Sequence, residues 1–356
     1  MKVVVLHEEV AANPRPDELD VLTQARFVVE QLSSLGHEAR TLAFGLRVDA
    51  FIDSITREKP DCVFNLVECV AGHGRLISLA PSVLESLRIP FTGAGADAMY
   101  VTSNKLLGKT ILRGAGLPTA DWLTEVSHGA QAREVWHQFP TRPGESPKET
   151  GDCATGLQLV ETFKPGRYII KSVWEHASVG LGDDAVMHFD TLVDVQREIA
   201  RRAPALGGQA FAEPYIHGRE FNIAMLTRGP GEPPQVLPHA EILFDGYATN
   251  RPHIVDYRAK WDEASYEYNH TPRRFDFPDS DQPLLTQLTD LCLKCWYVVG
   301  LRGYARVDFR VDDKGQPFIL EINANPCLSP DAGFAAALLQ AGISPVEAIS
   351  QVLSDR

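Results

Sequence analysis

The sequence contains no apolar run that approaches the roughly 20 residues needed to span a bilayer. Its first apolar segment, residues 2–6, is followed at once by a histidine and two glutamates. That segment is too short for the core of a signal peptide. We therefore expect a cytoplasmic protein that does not bind a membrane.

Cysteine is scarce and scattered, with six in 356 residues. In a reducing cytoplasm we expect free thiols. Cys292 and Cys295 form a CxxC in a helical pattern, but no second ligand pair has the spacing of a structural zinc site. A redox or zinc role for this pair stays open and is disfavoured.

Positive charge is also in short supply. Lys and Arg number 34 against 47 Asp and Glu, for a net charge of −13. This balance argues against a nucleic-acid or anionic-membrane partner, because such proteins usually carry basic patches. A polyphosphate ligand would have to be held by a few placed cations and by metal ions.

Alternating strand and helix patterns fill the first hundred residues. β-branched or apolar runs at 2–6, 38–43 and 62–66 predict strands, and the spacing of Leu, Val and Ala over 19–32 predicts an amphipathic helix. This order predicts an open, mostly parallel sheet. Ligands of such sheets bind at the carboxyl ends of strands, which places Glu8 and Glu68 near any ligand.

Two further regions follow the first, one beginning near residue 100 and one near residue 213. Each combines strands with helices, as expected for α+β units. In the last region, residues 245–283 are irregular and rich in Tyr, Trp, Arg and Asp. An irregular segment of that length in a compact protein is usually functional.

A hairpin around residues 312–315 carries the most informative polar residues. Strand alternation puts Arg306 and Asp308 on one face, and Glu321 and Asn323 on one face of the next strand. Two carboxylates and an amide oxygen suit Mg²⁺ shared with phosphate oxygens. Arg306 beside them suits a developing negative charge.

The same alternation is compatible with a solvated polar face that has no chemistry. In both interpretations the opposite face is buried. Its predicted residues are Val307, Phe309, Leu320 and Ile322.

Two earlier segments favour a nucleotide. Lys171 ends an apolar strand and precedes a loop of small residues and glycine, whose backbone amides can approach phosphates. Residues 211–216 resemble a hinge strand that could read an adenine edge, with Glu220 near the ribose. For Glu213 and Glu220 the alternative is ordinary charge at a strand edge.

Together these segments resemble the ATP-grasp superfamily and, within it, the D-alanine–D-alanine ligase family. The resemblance covers most of the chain and is most specific in GYARVDFRVDDKGQPFILEINANP, residues 303–326. It implies an α/β protein of ATP-grasp fold. An N-terminal open parallel-sheet domain (1–100) would precede a central subdomain (101–212) and a C-terminal catalytic subdomain (213–356), which sandwich ATP.

The resemblance also implies the reaction. ATP would phosphorylate a carboxylate, and an amine would attack the acyl phosphate to form an amide, with ADP and phosphate released. ATP and two Mg²⁺ ions, replaceable by Mn²⁺, are the implied cofactors. Such phosphoryl transfer needs charge neutralisation and alignment, and a closing loop keeps water from the acyl phosphate.

Site residues carried over by the resemblance form three groups. The cofactor-binding residues are Lys105, Lys171, Glu213, Tyr215, Ile216 and Glu220. The metal ligands are Asp308, Glu321 and Asn323. The catalytic residues are Arg306 for the tetrahedral intermediate, Lys260 of the mobile loop and Ser178 of the ATP loop.

Departures from the family pattern cluster in the substrate-binding parts. A longer, glycine-free segment at 7–16 replaces the family's Gly-Gly-x-Ser-x-Glu turn, and Trp261 replaces the loop tyrosine. The serine that would grip a substrate carboxylate after Pro326 is absent, and Asp331 nearby would prefer a cation or an amine. Glu8, Glu68 and Asp331 are therefore predicted substrate contacts, with solvated loop charge as their alternative.

These departures predict a carboxylate–amine ligase whose substrates are small molecules, expected to be amino acids other than two D-alanines. D-alanine–D-alanine ligase itself is the first alternative. A kinase-like or phosphatase-like use of the site is the second, and a nucleotide-binding module without catalysis is the third. Since dimers are common in the family, a homodimer is also expected.

Overall fold

The N-terminal region has the parallel sheet that the sequence predicts. The structure is a computed structural model that describes residues 1–11, 14, 16–125, 163–176, 178 and 180–356. Strands β1 (Lys2–Glu8), β2 (Glu38–Phe44) and β3 (Cys62–Asn65) are parallel, in the order β2-β1-β3. Val3 to Glu8 are all buried, as expected for a parallel strand covered on both faces. The covering helices are α1 (Pro16–Ser34), α2 (Val48–Glu58) and α3 (Leu79–Leu87).

The central region is built on a four-stranded antiparallel sheet in the order β4-β7-β5-β6. Two helices lead into it, α4 (Ala96–Ser103) and α5 (Lys105–Gly114). The strands are β4 (Leu123–Thr124), β5 (Gly166–Ser172), β6 (Val186–Phe189) and β7 (Ala210–Pro214), with α6 (Leu192–Arg202) packed on one face. Val195 and Ile199 of α6 belong to the same hydrophobic cluster as Ile170 and Ala212 of this sheet.

The C-terminal region is a larger sheet in the order β11-β10-β8-β12-β13, with β9 paired to β8. Its strands are β8 (Arg219–Leu226), β9 (Gln235–Val236), β10 (Ala240–Ile242), β11 (Arg273–Arg274), β12 (Tyr304–Val311) and β13 (Pro317–Asn323). Its helices are α7 (Tyr257–Trp261), α8 (Tyr266–Asn269), α9 (Gln282–Val299), α10 (Gly333–Gln340) and α11 (Pro345–Ser354). The irregular segment 245–283 thus contains two short helices and an edge strand.

The first and last regions share one hydrophobic core. Apolar side chains of β1 and β3 pack in the same cluster as side chains of β12, α10 and α11, among them Val3, Phe64, Tyr304, Phe334 and Val352. No single helix in the described part of the chain has the length and apolar character to cross a membrane, and α10 with α11 meets that criterion only as a pair bent by 104°.

The CxxC lies inside α9. Cys292 and Cys295 are fully buried free thiols, and burial raises the pKa of Cys295 to about 12. They pack in the core beneath the C-terminal sheet, so in the described structure they act as small apolar side chains.

Candidate active site

A cleft of about 940 Å³ opens between the central and C-terminal sheets. Side chains of β5 and β7 line one wall, and side chains of β8, β12 and β13 line the other. The cleft contains most of the predicted site residues, namely Lys105, Lys171, Ser178, Glu213, Tyr215, Ile216, Glu220, Lys260, Arg306, Asp308 and Glu321.

The β12–β13 hairpin brings its four predicted polar residues together. In the antiparallel register Arg306 lies opposite Asn323, and Asp308 opposite Glu321. The Arg306 guanidinium donates to both Asp308 oxygens, at 2.7 and 2.9 Å, and Asn323 Nδ2 donates to Asp308 Oδ2 at 3.2 Å. Burial would lower the pKa of Arg306, but the Asp308 carboxylate outweighs burial and raises it.

A register shift between Asp308 and Phe309 changes one predicted assignment. Phe309 pairs with Ile319, so Leu320 has no partner on β12. Ile319 is fully buried in the core, whereas Leu320 is half-buried and lines the cleft. The prediction that Leu320 belongs to the buried face is therefore wrong, because a bulge shifts the alternation by one residue.

Glu213 is the anion of a buried cluster of charges. Its Oε1 lies 2.6 Å from Lys171 Nζ, and its Oε2 lies 2.7 Å from Lys109 Nζ. Burial raises the pKa of Glu213, but the two ammonium groups outweigh burial and lower it to about 2. Lys109 is 2% exposed and also donates to Thr119 Oγ1 and the Ala120 carbonyl.

Sequence reasoning missed Lys109. It stands one turn after Lys105 on α5, so the four-residue spacing places both ammonium groups on one side of that helix. Lys105 Nζ donates to the Glu175 carbonyl at 2.8 Å and lies 3.5 Å from Glu321 Oε2. Burial raises the pKa of Glu321, but Lys105 and then Lys260 outweigh burial and lower it.

Arg310 is a second residue that sequence reasoning missed. It is 4% exposed, lies 3.2 Å from Glu220 Oε2 and donates to the Ile216 carbonyl at 2.9 Å. Arg310 therefore holds in place two residues, Ile216 and Glu220, that are predicted to contact the nucleotide. The signal was present, because Arg306, Asp308 and Arg310 alternate along one face of β12.

Ser178 and Lys260 line the cleft, Ser178 from a turn and Lys260 from a short helix. Ser178 adopts a left-handed conformation (φ 59°) and its hydroxyl donates to the Val255 carbonyl at 2.8 Å. Lys260 lies on α7, and burial and the neighbouring Arg306 lower its pKa. The flanking positions Ala177 and Val179 lie outside the described residues, as do Ala12, Asn13 and Arg15 of the 7–16 segment.

A larger cavity of about 2060 Å³ adjoins the cleft. Lys260, Arg306 and Glu321 line both, so they form a shared wall. The remaining predicted residues line this second cavity, namely Glu8, Glu68, Asn323 and Asp331. Every predicted site residue therefore faces one of two connected spaces.

A family model described as the D-ala D-ala ligase C-terminus matches residues 162–354. The chain belongs to the D-alanine–D-alanine ligase family of ATP-grasp enzymes. It is therefore a ligase that forms carbon–nitrogen bonds. The matched segment includes strands β5 to β13, and with them the whole β12–β13 hairpin.

Curated relatives of the ligase family align over nearly the full chain. A D-alanine–D-alanine ligase of Aquifex aeolicus is 26% identical and covers 99% of this chain and 100% of the relative. One of Moorella thermoacetica is 28% identical over 95% of each. An uncharacterised protein of Sinorhizobium fredii, y4sG, is 27% identical over 82% of this chain and 73% of its own length.

Solved ligase structures share the fold. A D-alanine–D-alanine ligase of Bacillus anthracis complexed with ATP superposes with a TM-score of 0.68 at 16% identity, over 100% of this chain and 97% of that one. The D-alanine–D-alanine ligase of Coxiella burnetii superposes with a TM-score of 0.62 at 18% identity, over 99% of this chain and 92% of that one. The predicted ATP-grasp fold of the α/β class is confirmed.

The hairpin of this ligase has donors that fit Mg²⁺. Asp308 and Glu321 supply hard carboxylate oxygens on paired strands, and Asn323 supplies an amide oxygen. Among the described residues no three His, Cys, Asp or Glu side chains gather around one point. Magnesium commonly uses one or two carboxylates and completes its shell with phosphates and water, so this donor set fits the ion and stays a prediction.

Proposed function

We propose that the protein is an ATP-dependent carboxylate–amine ligase whose substrates are small molecules other than two D-alanines. The observation that carries the proposal is the wall shared by the two spaces. There Arg306 stands between a cleft with phosphate-binding cations and a cavity whose lining departs from the family pattern.

The nucleotide would lie in the cleft. Lys105 and Lys171 would neutralise its phosphates as point charges, while Glu220 and the 215–216 backbone would contact the nucleoside. Mg²⁺ held by Asp308, Glu321 and Asn323 would supply charge neutralisation for phosphoryl transfer. The relative solved with ATP supports this assignment of the cleft.

The carboxylate and the amine would lie in the larger cavity. An acyl phosphate formed at the shared wall would place its developing oxyanion beside Arg306, whose guanidinium is already oriented by Asp308. Preorganised positive charge of this kind stabilises the tetrahedral intermediate. Lys260 would add a second cation from α7.

The reaction is tested by incubating the protein with ATP, Mg²⁺ and a pooled set of amino acids and amines. We expect ADP release in a coupled assay and a condensed amide by mass spectrometry. A phosphorylated product without an amide would support kinase-like chemistry instead. ATP binding without ADP release would leave only a nucleotide-binding module.

D-alanine–D-alanine ligase activity is the second candidate, and it is favoured by the names of the curated relatives. An ADP-release assay in which D-alanine is the only amino acid distinguishes the two candidate functions. Robust turnover at ordinary affinity would overturn the altered-substrate proposal and leave the reaction class intact.

The hairpin's role is tested by Asp308→Asn, which keeps the size of the side chain and removes its charge. Mutation of a residue that hydrogen-bonds a metal ligand typically lowers metal affinity or activity by about 10–100-fold. Loss of a ligand itself is therefore expected to lower ADP release by about 100-fold or more. Asp313→Asn in the exposed turn of the same hairpin is the matched control. Unchanged turnover of Asp308→Asn with its fold intact would refute the ligand set.

A further inference from the structure

His176 lies where the cleft and the larger cavity meet, and its half-buried side chain lines both spaces. Six other residues of the described chain line both. Two are cations, two have no basic group, one is a predicted metal ligand and one is a carboxylate packed against Gly207, in the order Lys260, Arg306, Asn222, Val255, Glu321 and Glu175. The imidazole is therefore the group of this shared wall that remains to accept a proton from a substrate.

The hydrogen bonds of Ser103 determine which nitrogen of His176 carries the proton. Ser103 Oγ donates to the Gly74 carbonyl at 3.0 Å and lies 3.1 Å from His176 Nε2. A hydroxyl has a single proton, and this one is directed to the carbonyl. Nε2 therefore donates to the hydroxyl oxygen, and the neutral ring keeps its lone pair on Nδ1.

The lone pair of Nδ1 lies on the ring edge that faces away from Gly74. The other edge packs on Gly74, where an ideal Cβ would lie 3.1 Å from His176 Cδ2 and 2.5 Å from the Trp174 carbonyl oxygen. Gly74 has no positive φ, so its lack of a side chain is explained by this close approach. Among the residues that the structure describes, none forms a hydrogen bond with His176 Nδ1, and this nitrogen is available to a ligand.

Burial and neighbouring charges keep the imidazole neutral in the free protein. Burial, and then Lys105, lower the pKa of His176 to about 4. Lys260 and Arg306 act in the same direction, and Glu321 opposes them. The phosphates of a bound nucleotide would neutralise Lys105 and Lys260 and so raise this pKa toward the operating pH, where a general base is most effective. The ring therefore becomes more basic when ATP is bound.

We infer that His176 is a further catalytic residue, whose Nδ1 accepts a proton from the amine that attacks the acyl phosphate. The inference rests on the proposed function. The shared wall joins the cleft proposed for the nucleotide to the cavity proposed for the amine, so the acyl phosphate would form beside the ring.

The proton transfer accompanies formation of the amide bond. The amine enters as an ammonium group and gives one proton to Nδ1. The released lone pair forms the C–N bond with the carbonyl carbon, and the C–O bond to the phosphate breaks. Phosphate leaves with that electron pair and with the second surplus proton of the nitrogen, and the imidazolium gives its proton to solvent.

The test compares an amine that needs a base with one that does not. The full-length protein, ATP and Mg²⁺ are mixed with pooled amino acids, with or without hydroxylamine, and mass spectrometry measures amides and hydroxamates. The amino groups of amino acids are ammonium ions at neutral pH and must lose a proton before they attack. Hydroxylamine is mostly unprotonated there, so it traps the acyl phosphate as a hydroxamate without help from a base.

His176→Gln keeps a side-chain amide that can donate to Ser103 and removes the basic nitrogen. Amide formation is expected to fall by about 10²–10⁴-fold, the usual contribution of a general base, with hydroxamate formation within about threefold of wild type. Ser103→Ala keeps the imidazole but removes the bond that orients it, and is expected to lower amide formation by a smaller factor. Retained hydroxamate formation shows that each variant folds and binds ATP.

His239→Gln is the matched control, because His239 is another half-buried histidine, with Nε2 2.9 Å from Thr289 Oγ1, and it lines neither space. Both products should match wild type. Unchanged amide formation in His176→Gln, or equal losses of amide and hydroxamate, would overturn the inference while amide formation by the wild type upholds the proposed function. Neither amide nor hydroxamate from the wild type would overturn both.

Discussion

At the scale of single residues, burial decides which of the predicted charges are present. Glu68 is the clearest case, because burial, and then the charge of Glu8, raise its pKa to about 8. Its Oε1 accepts from Gln24 Nε2 at 3.3 Å. At neutral pH its carboxyl is therefore mostly protonated. In that form it donates a hydrogen bond and lacks the negative charge that the sequence suggested.

This raised pKa predicts a pH dependence of stability. Between the ordinary value of 4.5 and about 8, the folded protein holds a proton that the unfolded chain releases. The stabilisation is complete below 4.5 and is lost as pH rises to about 8, with a slope of at most about 1.4 kcal/mol per pH unit. Urea unfolding at several pH values should show this slope in the wild type.

Glu68→Gln removes the titrating group and should flatten that part of the pH profile. Exposed Glu232→Gln is the matched control and should keep the wild-type profile. Identical slopes in the wild type and Glu68→Gln would contradict the raised pKa.

At the scale of elements, the bulge in β13 determines what the hairpin presents to the cleft. Without it, alternation would bury Leu320 and expose Ile319. The shift between Asp308 and Phe309 instead places Leu320 beside Glu321 on the cleft side. The bulge thus adds an apolar contact next to the predicted metal ligands, where the flat face of a base or sugar can pack.

Alanine at each of the two positions should separate stability from nucleotide binding. Ile319→Ala removes a fully buried side chain and is expected to lower the free energy of unfolding by about 2–5 kcal/mol. Leu320→Ala is expected to cost about 1 kcal/mol or less and to weaken ATP binding several-fold. Urea denaturation and ATP titration measure the two effects, and the reverse pattern would contradict the bulge.

At the scale of the whole molecule, the N-terminal and C-terminal regions fold against each other. They share a hydrophobic core, and Asn325 and Arg302 connect them through polar contacts. Asn325 Nδ2 donates to the Val67 carbonyl, and its Oδ1 accepts from Tyr304 Oη. The larger cavity therefore depends on both regions. The domain boundaries at residues 100 and 212 stay a prediction, as do the homodimer and the cytoplasmic location.

Arg302→Ala tests this connection. Its guanidinium donates to the Gly93 and Phe91 carbonyls at 2.8 and 3.2 Å and lies over the Phe91 ring. Hydrogen bonds from a charged group contribute about 1.5–3 kcal/mol, so we expect a loss of about 2 kcal/mol in urea unfolding. Exposed Arg197→Ala should cost less than about 0.5 kcal/mol, and equal losses in the two variants would refute the role of Arg302.

Local patterns were sufficient for much of the fold and for the hairpin. The N-terminal strands, α1 and the paired polar residues of β12 and β13 follow from periodicity, because neighbours within a few residues determine which face a side chain occupies. The prediction that Asp308, Glu321 and Asn323 offer oxygen ligands to a metal ion therefore follows from residue type and strand alternation alone.

Sequence by itself determined the family, the fold class and the chemistry that the site residues can perform, because these reside in residue types and short spacings. Only the tertiary structure decided which charges meet. Lys109 reaches Glu213, Arg310 reaches Glu220, and Arg273 reaches the larger cavity from segments distant along the chain. Such contacts depend on how sheets stack and where a bulge falls, and no local spacing specifies either.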